Sequence, residues 1–174
     1  SIAQAGYIMM GISTFSDTGI TGVLIYLIAY AFTNLGAFTV VIAASNHFGD
    51  DAMDSYAGLA RRSPFLAASL TLFLLSLAGL PPLGGFVGKF FMFSAAIESK
   101  LYGLAVIAAV NSAVAAFYYF RIVRLMYLVP ATHREEVSQN PSLAFAIILL
   151  ASATLAIGLV PAPVISFVKG VLLV

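Results

Sequence analysis

One charged side chain, Lys89, stands in the middle of the otherwise uncharged run of residues 63–97. Of the 174 residues, 61% are hydrophobic and 9% are charged, whereas soluble domains usually carry about 25% charged residues. The composition therefore excludes a water-soluble fold and indicates that this run lies in a lipid bilayer. A charge at that depth is costly and is retained mainly where it faces protein or water. Lys89 consequently predicts a route for ions or protons.

The residues just before Lys89 prevent this run from forming one regular helix. A continuous helix over 64–97 would be roughly 50 Å long, whereas the hydrocarbon core of a bilayer measures ~30 Å. Proline removes a helical hydrogen bond and clashes with the preceding turn, and glycine adds backbone freedom. A break is therefore predicted at 81–85, where the sequence has Pro81, Pro82, Gly84 and Gly85. A simple structural kink is the alternative interpretation of these four residues.

Apolar segments separated by polar turns predict an all-α, polytopic transmembrane helix bundle with one discontinuous helix. Residues 1–174 are interpreted as a single transmembrane domain. The predicted helices lie at approximately 1–14, 20–45, 64–97, 101–129 and 142–168. Because the first segment is shorter than the ~20 residues that a spanning helix needs, we expect the chain to be the C-terminal part of a longer membrane protein or one piece of a split one.

The residue inventory limits the chemistry expected of this chain. It has no cysteine and only two histidines, which excludes a thiolate metal site, an iron–sulfur ligand set and a disulfide framework. The formal net charge is +1, and no basic run suggests nucleic acid as a partner. We therefore expect no cofactor, no metal and no nucleic acid, and the lipid bilayer as the surrounding medium.

Basic residues near the predicted helix ends indicate which side faces the cytoplasm. One side carries Lys100 and Lys169. The other side carries five arginines: Arg61, Arg62, Arg121, Arg124 and Arg134. By the positive-inside rule, the arginine side faces the cytoplasm or its organellar equivalent. The sequence thus predicts a multi-pass protein of a bacterial cytoplasmic membrane, or of an organellar inner or thylakoid membrane.

Lys89 lies too deep in its segment to reach bulk water. Glu98, the nearest charged residue toward the end of its half-helix, is nine residues away, or roughly 13 Å along a helix axis. A lysine side chain reaches only ~6 Å beyond its own position, so the ammonium must meet water or a polar partner inside the protein. Since desolvation disfavours the charged form of lysine, Lys89 is a candidate to accept and release a proton near neutral pH.

Small polar residues in the apolar segments are candidates for a hydrated path around Lys89. They are Ser76, Thr33, Asn34, Asn111 and Ser112. Most such residues in membrane helices instead join helices through hydrogen bonds, and that interpretation stays open here. Tyr118, Tyr119 and Tyr127 lie near the arginine side, where they are predicted to be interfacial aromatics.

Four stretches of the sequence carry a resemblance to a known membrane-protein family. They are SIAQAGY (1–7), YAGLARRSP (56–64), SLAGLPPLGGFVGKF (76–90) and NSAVAAFYYFRIV (111–123). Together they resemble the C-terminal part of the N-type antiporter-like membrane subunits of respiratory complex I, the NADH:quinone oxidoreductase. The fourth stretch has Phe117 where that family tends to have tyrosine.

This resemblance implies the second half of an inverted-repeat, antiporter-like fold whose broken helix carries its lysine at Lys89. It also implies proton translocation coupled to electron transfer in other subunits, with no redox chemistry in this chain. The implied partners are the neighbouring antiporter-like and small membrane subunits. Related L- and M-type subunits usually carry a histidine and a lysine where this chain has YAFTNLGAF (30–38), which favours the N type.

Other functions stay open at the level of sequence. The same fold could serve a cation/proton antiporter without electron transfer, or a related complex that takes electrons from ferredoxin or deazaflavin. Alternatively, the chain could be a scaffold in which Lys89 has no part in transport.

Overall fold

The structure, a computed structural model, describes residues 2–49, 52–131 and 140–172, apart from the side chain of His47; Arg134 lies outside these ranges. The helices are α1 (Ile2–Ile12), α2 (Asp17–Phe48), α3 (Leu59–Arg62), α4 (Pro64–Ala78), α5 (Gly84–Glu98), α6 (Tyr102–Leu128), α7 (Pro141–Leu159) and α8 (Ala162–Leu172). A 3-10 turn, Met53–Tyr56, precedes α3. The described residues contain no β-strand, and the predicted all-α fold class is confirmed.

Three of these helices, α2, α6 and α7, are long and apolar enough to cross a membrane. Their outer surfaces are apolar as well. On α6, for example, Phe117 is 70% exposed and Ile107 is 60% exposed. Apolar patches of this extent on a protein surface mark contact with a membrane or with other protein. The chain is therefore an integral membrane protein.

The helices α4 and α5 divide the segment predicted at 64–97 into two halves. Each contains 15 residues and is therefore about 22 Å long, too short to cross a bilayer alone. Between Ala78 and Gly84 the backbone is not helical. The two halves contact each other, and Lys89 lies in the first turns of the second half.

The last segment differs from the single helix predicted at 142–168. In the structure, α7 ends at Leu159 and α8 begins at Ala162. Pro161 stands between them and has no N–H to continue the hydrogen bonds of α7. Its carbonyl instead accepts from Ile165 N–H at 3.0 Å and starts the new helix. The last segment is therefore a shorter apolar helix, α7, followed by the separate helix α8.

The centre of the bundle is α2, which packs against α4, α5 and α7. The closest approach to α5 occurs at Gly88, which lies on the inner face of that helix. A Cβ atom added to Gly88 would lie 2.6 Å from the Cα atom of Tyr26, a separation that real side chains do not tolerate. Glycine therefore allows α5 to lie directly on α2, and this contact places Lys89 against the interior.

One end of the bundle collects arginines. Gly58 N–H donates to the Leu125 carbonyl at 3.2 Å, which brings the loop before α3 to the end of α6. Arg121 and Arg124 line a cleft there together with Asp54.

The opposite end of the bundle carries Lys100 and Lys169, the two lysines predicted to lie on the side with fewer basic residues. Ser99 Oγ donates to the Thr14 carbonyl at 3.3 Å, which joins the turn containing Lys100 to the turn after α1. Lys169 on α8 shares a cleft with Asp17 at the start of α2. The charge asymmetry predicted from the sequence is thus present among the described residues, while the compartment that each end faces stays a prediction.

Candidate functional site

The first half of the broken helix ends in a glycine-capped turn. Gly79 has φ 86°, in the left-handed region that glycine adopts without steric cost. Leu80 N–H donates to the Leu75 carbonyl at 3.1 Å, and Gly79 N–H donates to the Ser76 carbonyl at 3.0 Å. This pair of bonds is a Schellman motif. The motif provides donors for the Leu75 and Ser76 carbonyls. It leaves the Leu77 and Ala78 carbonyls for other donors.

The Lys89 ammonium takes up the carbonyls that the Schellman motif leaves free. Its Nζ donates to the Leu77 carbonyl at 2.9 Å and to the Ala78 carbonyl at 3.1 Å. Carbonyls at a helix C-terminus carry the negative end of the helix dipole and stabilise a nearby cation. In a regular helix these carbonyls would accept from the residues four positions further on, but those residues are Pro81 and Pro82, which have no N–H. The break therefore creates the binding site for the lysine.

Two further groups complete the surroundings of Lys89. Ser112 on α6 places its Oγ 3.5 Å from Nζ. Tyr7 on α1 presents its ring face, with Nζ 4.4 Å from the ring centroid, a favourable cation–π distance. The lysine is only 5% exposed, and its hydrogen-bond partners among the described residues are uncharged. None of these described partners carries a negative charge that would stabilise the protonated form of the Lys89 amine.

A buried glutamine organises the helices around this site. Gln4 on α1 is 2% exposed. Its Nε2 atom donates to the Leu77 carbonyl at 3.5 Å and to the Tyr119 hydroxyl at 3.2 Å, while Tyr26 donates its hydroxyl proton to Gln4 Oε1. The amide thus connects α1, α2, α4 and α6 at one of the carbonyls that receive Lys89.

A second chain of hydrogen bonds fastens the two half-helices to α2. Gly85 N–H donates to Ser76 Oγ at 3.1 Å, Ser76 Oγ lies 3.1 Å from Thr33 Oγ1, and Thr33 Oγ1 donates to the Ala29 carbonyl at 2.7 Å. Because a hydroxyl has one proton, Ser76 must donate to Thr33. Each hydroxyl donates its one proton within this chain and accepts one hydrogen bond, which favours a structural role for them over a place in a hydrated path.

Replacing Ser76 with alanine is expected to destabilise the junction by about 1–3 kcal/mol, because the buried Gly85 N–H loses its acceptor. Thermal unfolding of the purified membrane protein measures the effect. Ser13→Ala is the matched control, since the Ser13 hydroxyl is exposed and, among the residues that the structure describes, donates to the nearby Met9 carbonyl alone, at 2.7 Å. Equal unfolding midpoints for the two variants would show that this hydrogen-bond chain does not hold the half-helices together.

Four other residues singled out from the sequence are not among the hydrogen-bond partners found for Lys89 Nζ in the described residues. Pro81 and Pro82 are exposed and line an apolar cleft of about 450 Å³. Asn34 is partly buried on α2, where its side chain has no hydrogen bond to another described residue. Asn111 is exposed on α6 and lines a groove between α1 and α6. Their proposed place in a hydrated path stays a prediction.

Three polar residues beside Lys89 were not predicted from the sequence: Gln4, Tyr7 and Tyr26. Gln4 and Tyr7 lie three residues apart and therefore share one face of α1, so their spacing could have indicated a polar stripe turned toward the bundle. Tyr119 belongs with them. The sequence predicts it to be an interfacial aromatic, whereas in the structure its hydroxyl accepts from Gln4 inside the bundle.

Comparison with known proteins identifies the family of this chain. The transmembrane family described as "NADH:quinone oxidoreductase/Mrp antiporter, TM" matches residues 1–115. The chain belongs to this family. The NADH-quinone oxidoreductase subunit N 2 of Solibacter usitatus is 45% identical over 171 residues, covering 94% of this chain and 34% of that protein. The N-type resemblance inferred from the sequence motifs is confirmed.

A second relative covers a similar share of both chains. NADH-quinone oxidoreductase subunit N of Chloroflexus aggregans is 42% identical over 177 residues, covering 100% of this chain and 36% of that protein. The chain thus spans about a third of the length of the curated relatives it matches, and it corresponds to their C-terminal part.

Solved structures share the fold. A chain of respiratory complex I from Thermus thermophilus, determined with bound Aureothin, superposes with a TM-score of 0.79 at 31% identity, over 93% of this chain and 36% of that one. A chain of the Mrp complex from Dietzia sp. superposes with a TM-score of 0.85 at 23% identity, over 95% and 39% of the two chains. At that lower identity the second match concerns the fold alone.

Proposed function

We propose that this chain relays protons through Lys89 as part of a proton-translocating membrane subunit of an NADH:quinone oxidoreductase. The observation that carries the proposal is the Lys89 ammonium, which is 5% exposed and is held by the Leu77 and Ala78 carbonyls. With no carboxylate among these partners, the balance between the charged and neutral amine depends on local water and on charges arriving from elsewhere. Electron transfer belongs to other subunits.

The geometry of the amine supports exchange of one proton at a fixed position. An ammonium has three N–H donors, and a neutral amine has two N–H donors and one lone pair. The two carbonyls can therefore hold Nζ in both states. The third position, which faces Ser112 at 3.5 Å, carries either the exchangeable proton or the lone pair. In this scheme the Pro81–Gly85 break leaves the Leu77 and Ala78 carbonyls free for Nζ, admits water and acts as the hinge.

The assignment of partners follows from the same family. The proposed neighbours are other antiporter-like and small membrane subunits of the complex, packed against the apolar faces of α6 and α7. The arginine end of the bundle, with Arg121 and Arg124, is proposed to face the cytoplasm or the mitochondrial matrix.

Purification of the native membrane complex through a tag on the full-length subunit tests this function. The proposal predicts that the complex reduces quinone with NADH and that this reaction drives proton uptake or release in sealed vesicles. Exchange of protons for sodium or potassium ions in a complex without quinone reductase activity would instead identify an antiporter. Electron transfer from ferredoxin or deazaflavin, with none from NADH, would identify a related complex.

A further inference from the structure

Asn111 places an amide on the outer surface of α6, at a depth where lipid offers no hydrogen bond. It lies nine residues after Tyr102, the first residue of α6, or about 13 Å along the helix, within the uncharged run of residues 101–120. The residue is exposed, and its side chain has no hydrogen bond to another described residue. A polar group without a partner in the hydrocarbon core is costly. A group other than an acyl chain is therefore expected to contact this amide.

The surface beside Asn111 is a groove between α1 and α6 whose lining suits a further helix. Its volume is about 330 Å³. The lining includes Ala3 and Gly6 on α1, and Leu104, Ala108 and Asn111 on α6. A Cβ atom added to Gly6 would meet no atom within 4 Å, so the space beside it is open. Small residues on membrane helices allow the backbone of another helix to approach closely.

A protein helix fits this groove better than lipid or water. An acyl chain would cover the apolar lining but would leave the Asn111 amide without a partner, although the amide offers two N–H donors and one acceptor oxygen. Water would bond to the amide but would leave the apolar side chains of Leu104 and Ala108 in contact with solvent. A membrane-spanning helix with one hydrogen-bonding side chain at the depth of Asn111 matches both parts of this surface.

Sequence order indicates which helix is available to fill the groove. The chain spans about a third of the length of the relatives it matches and corresponds to their C-terminal part. The unmatched two thirds of those proteins therefore precede the region that contains α1. Consecutive helices are usually adjacent in space, and a short connection makes them antiparallel neighbours. α1 already packs against α2, α5 and α6, and the groove is a further, open flank of α1.

We infer that the membrane-spanning helix that precedes α1 in the full-length subunit lies in this groove and bonds to the Asn111 amide through a polar side chain. This packing does not depend on any proton transfer by Lys89. Tyr7 both lines the groove and places its ring over Lys89 Nζ. The docked helix therefore separates this side of the Lys89 site from the lipid.

Photo-cross-linking in the purified, assembled complex tests this packing, with p-benzoylphenylalanine introduced into the full-length subunit. At Ile107, which lines the groove and is 60% exposed, irradiation should join α6 to a peptide from the membrane-spanning segment immediately before α1. Phe38 on α2, which is 56% exposed and does not line the groove, is the control position and should not give this peptide. Mass spectrometry identifies the products. An adduct of Ile107 with phospholipid, or with a peptide of another subunit, would overturn the inference.

Thermal unfolding of the same complex provides an independent test. Asn111→Leu should lower the unfolding midpoint by a few degrees because it removes a hydrogen bond between helices, whereas loss of a lipid-facing amide should raise the midpoint. Gly6→Leu should also lower it, because the added side chain occupies the place of the docked helix. Gly103→Leu is the matched control, since a Cβ atom added there also meets no atom within 4 Å and Gly103 does not line the groove. An unchanged or higher midpoint in Asn111→Leu, or equal midpoints for the two glycine variants, would contradict the proposed packing.

Discussion

Replacing Lys89 with methionine is expected to slow proton transfer through this subunit by about 10²-fold or more, the usual contribution of a positioned proton donor and acceptor. Methionine keeps an unbranched, apolar stem of similar length and removes the exchangeable proton. The measurement is the number of protons translocated per electron pair by the assembled complex in sealed vesicles, with NADH-driven quinone reduction followed in parallel.

The same substitution at Lys100 provides the control for Lys89→Met. Lys100 lies in the exposed turn between α5 and α6, so Lys100→Met should leave the proton-to-electron ratio unchanged. Loss of the two carbonyl contacts of Lys89 is expected to destabilise the site by about 1–3 kcal/mol, and the amount of assembled complex must therefore be compared first. A wild-type ratio in fully assembled Lys89→Met complex would contradict the relay and favour the scaffold interpretation.

Substitution of Gly88 by alanine is expected to disturb the packing of α5 on α2. The added Cβ atom would lie 2.6 Å from both Cα and Cβ of Tyr26, so α5 must move away from α2. Overpacking of this kind costs about 1–3 kcal/mol, and the displacement also moves Lys89, the next residue. We expect a lower unfolding temperature of the purified complex and a lower proton-to-electron ratio in the fraction that assembles.

Gly103→Ala is the matched control for Gly88→Ala. Gly103 is also helical, but a Cβ atom added there meets no atom within 4 Å. Alanine is the better helix former by up to about 1 kcal/mol, so this variant should be as stable as the wild type or slightly more stable. If Gly88→Ala behaves like Gly103→Ala, the close packing of α5 on α2 does not control the site.

The discontinuous helix could be predicted from the sequence because its causes are local. The segment 64–97 is too long for one bilayer span, and Pro81 and Pro82 cannot continue a helix. Gly79, one residue after the last helical position of α4, provides the left-handed cap that closes the first half. Local chemistry of this kind does not depend on the rest of the fold. For the same reason, Pro161 could have indicated the end of α7.

The partners of Lys89 could not be predicted in the same way. Its hydrogen bonds to Leu77 and Ala78 depend on how the two half-helices fold back on each other. The contacts with Tyr7 and Ser112 come from helices that are distant in sequence. Periodicity indicates which face of a helix is buried, but it does not indicate which buried faces meet. The lysine was therefore identifiable as a candidate, and Ser112 as one of several small polar residues, while the position of Tyr7 beside Lys89 required the structure.

Substitution of Lys89 by arginine tests the central claim most directly, because it separates charge from proton exchange. Arginine keeps a positive charge in the site but does not release its proton under protein conditions. The measurement is again protons translocated per electron pair in assembled complex. The relay predicts a ratio close to that of Lys89→Met, with at most a small gain from the retained charge. A wild-type ratio in Lys89→Arg would contradict the relay and show that a fixed positive charge at this position is sufficient.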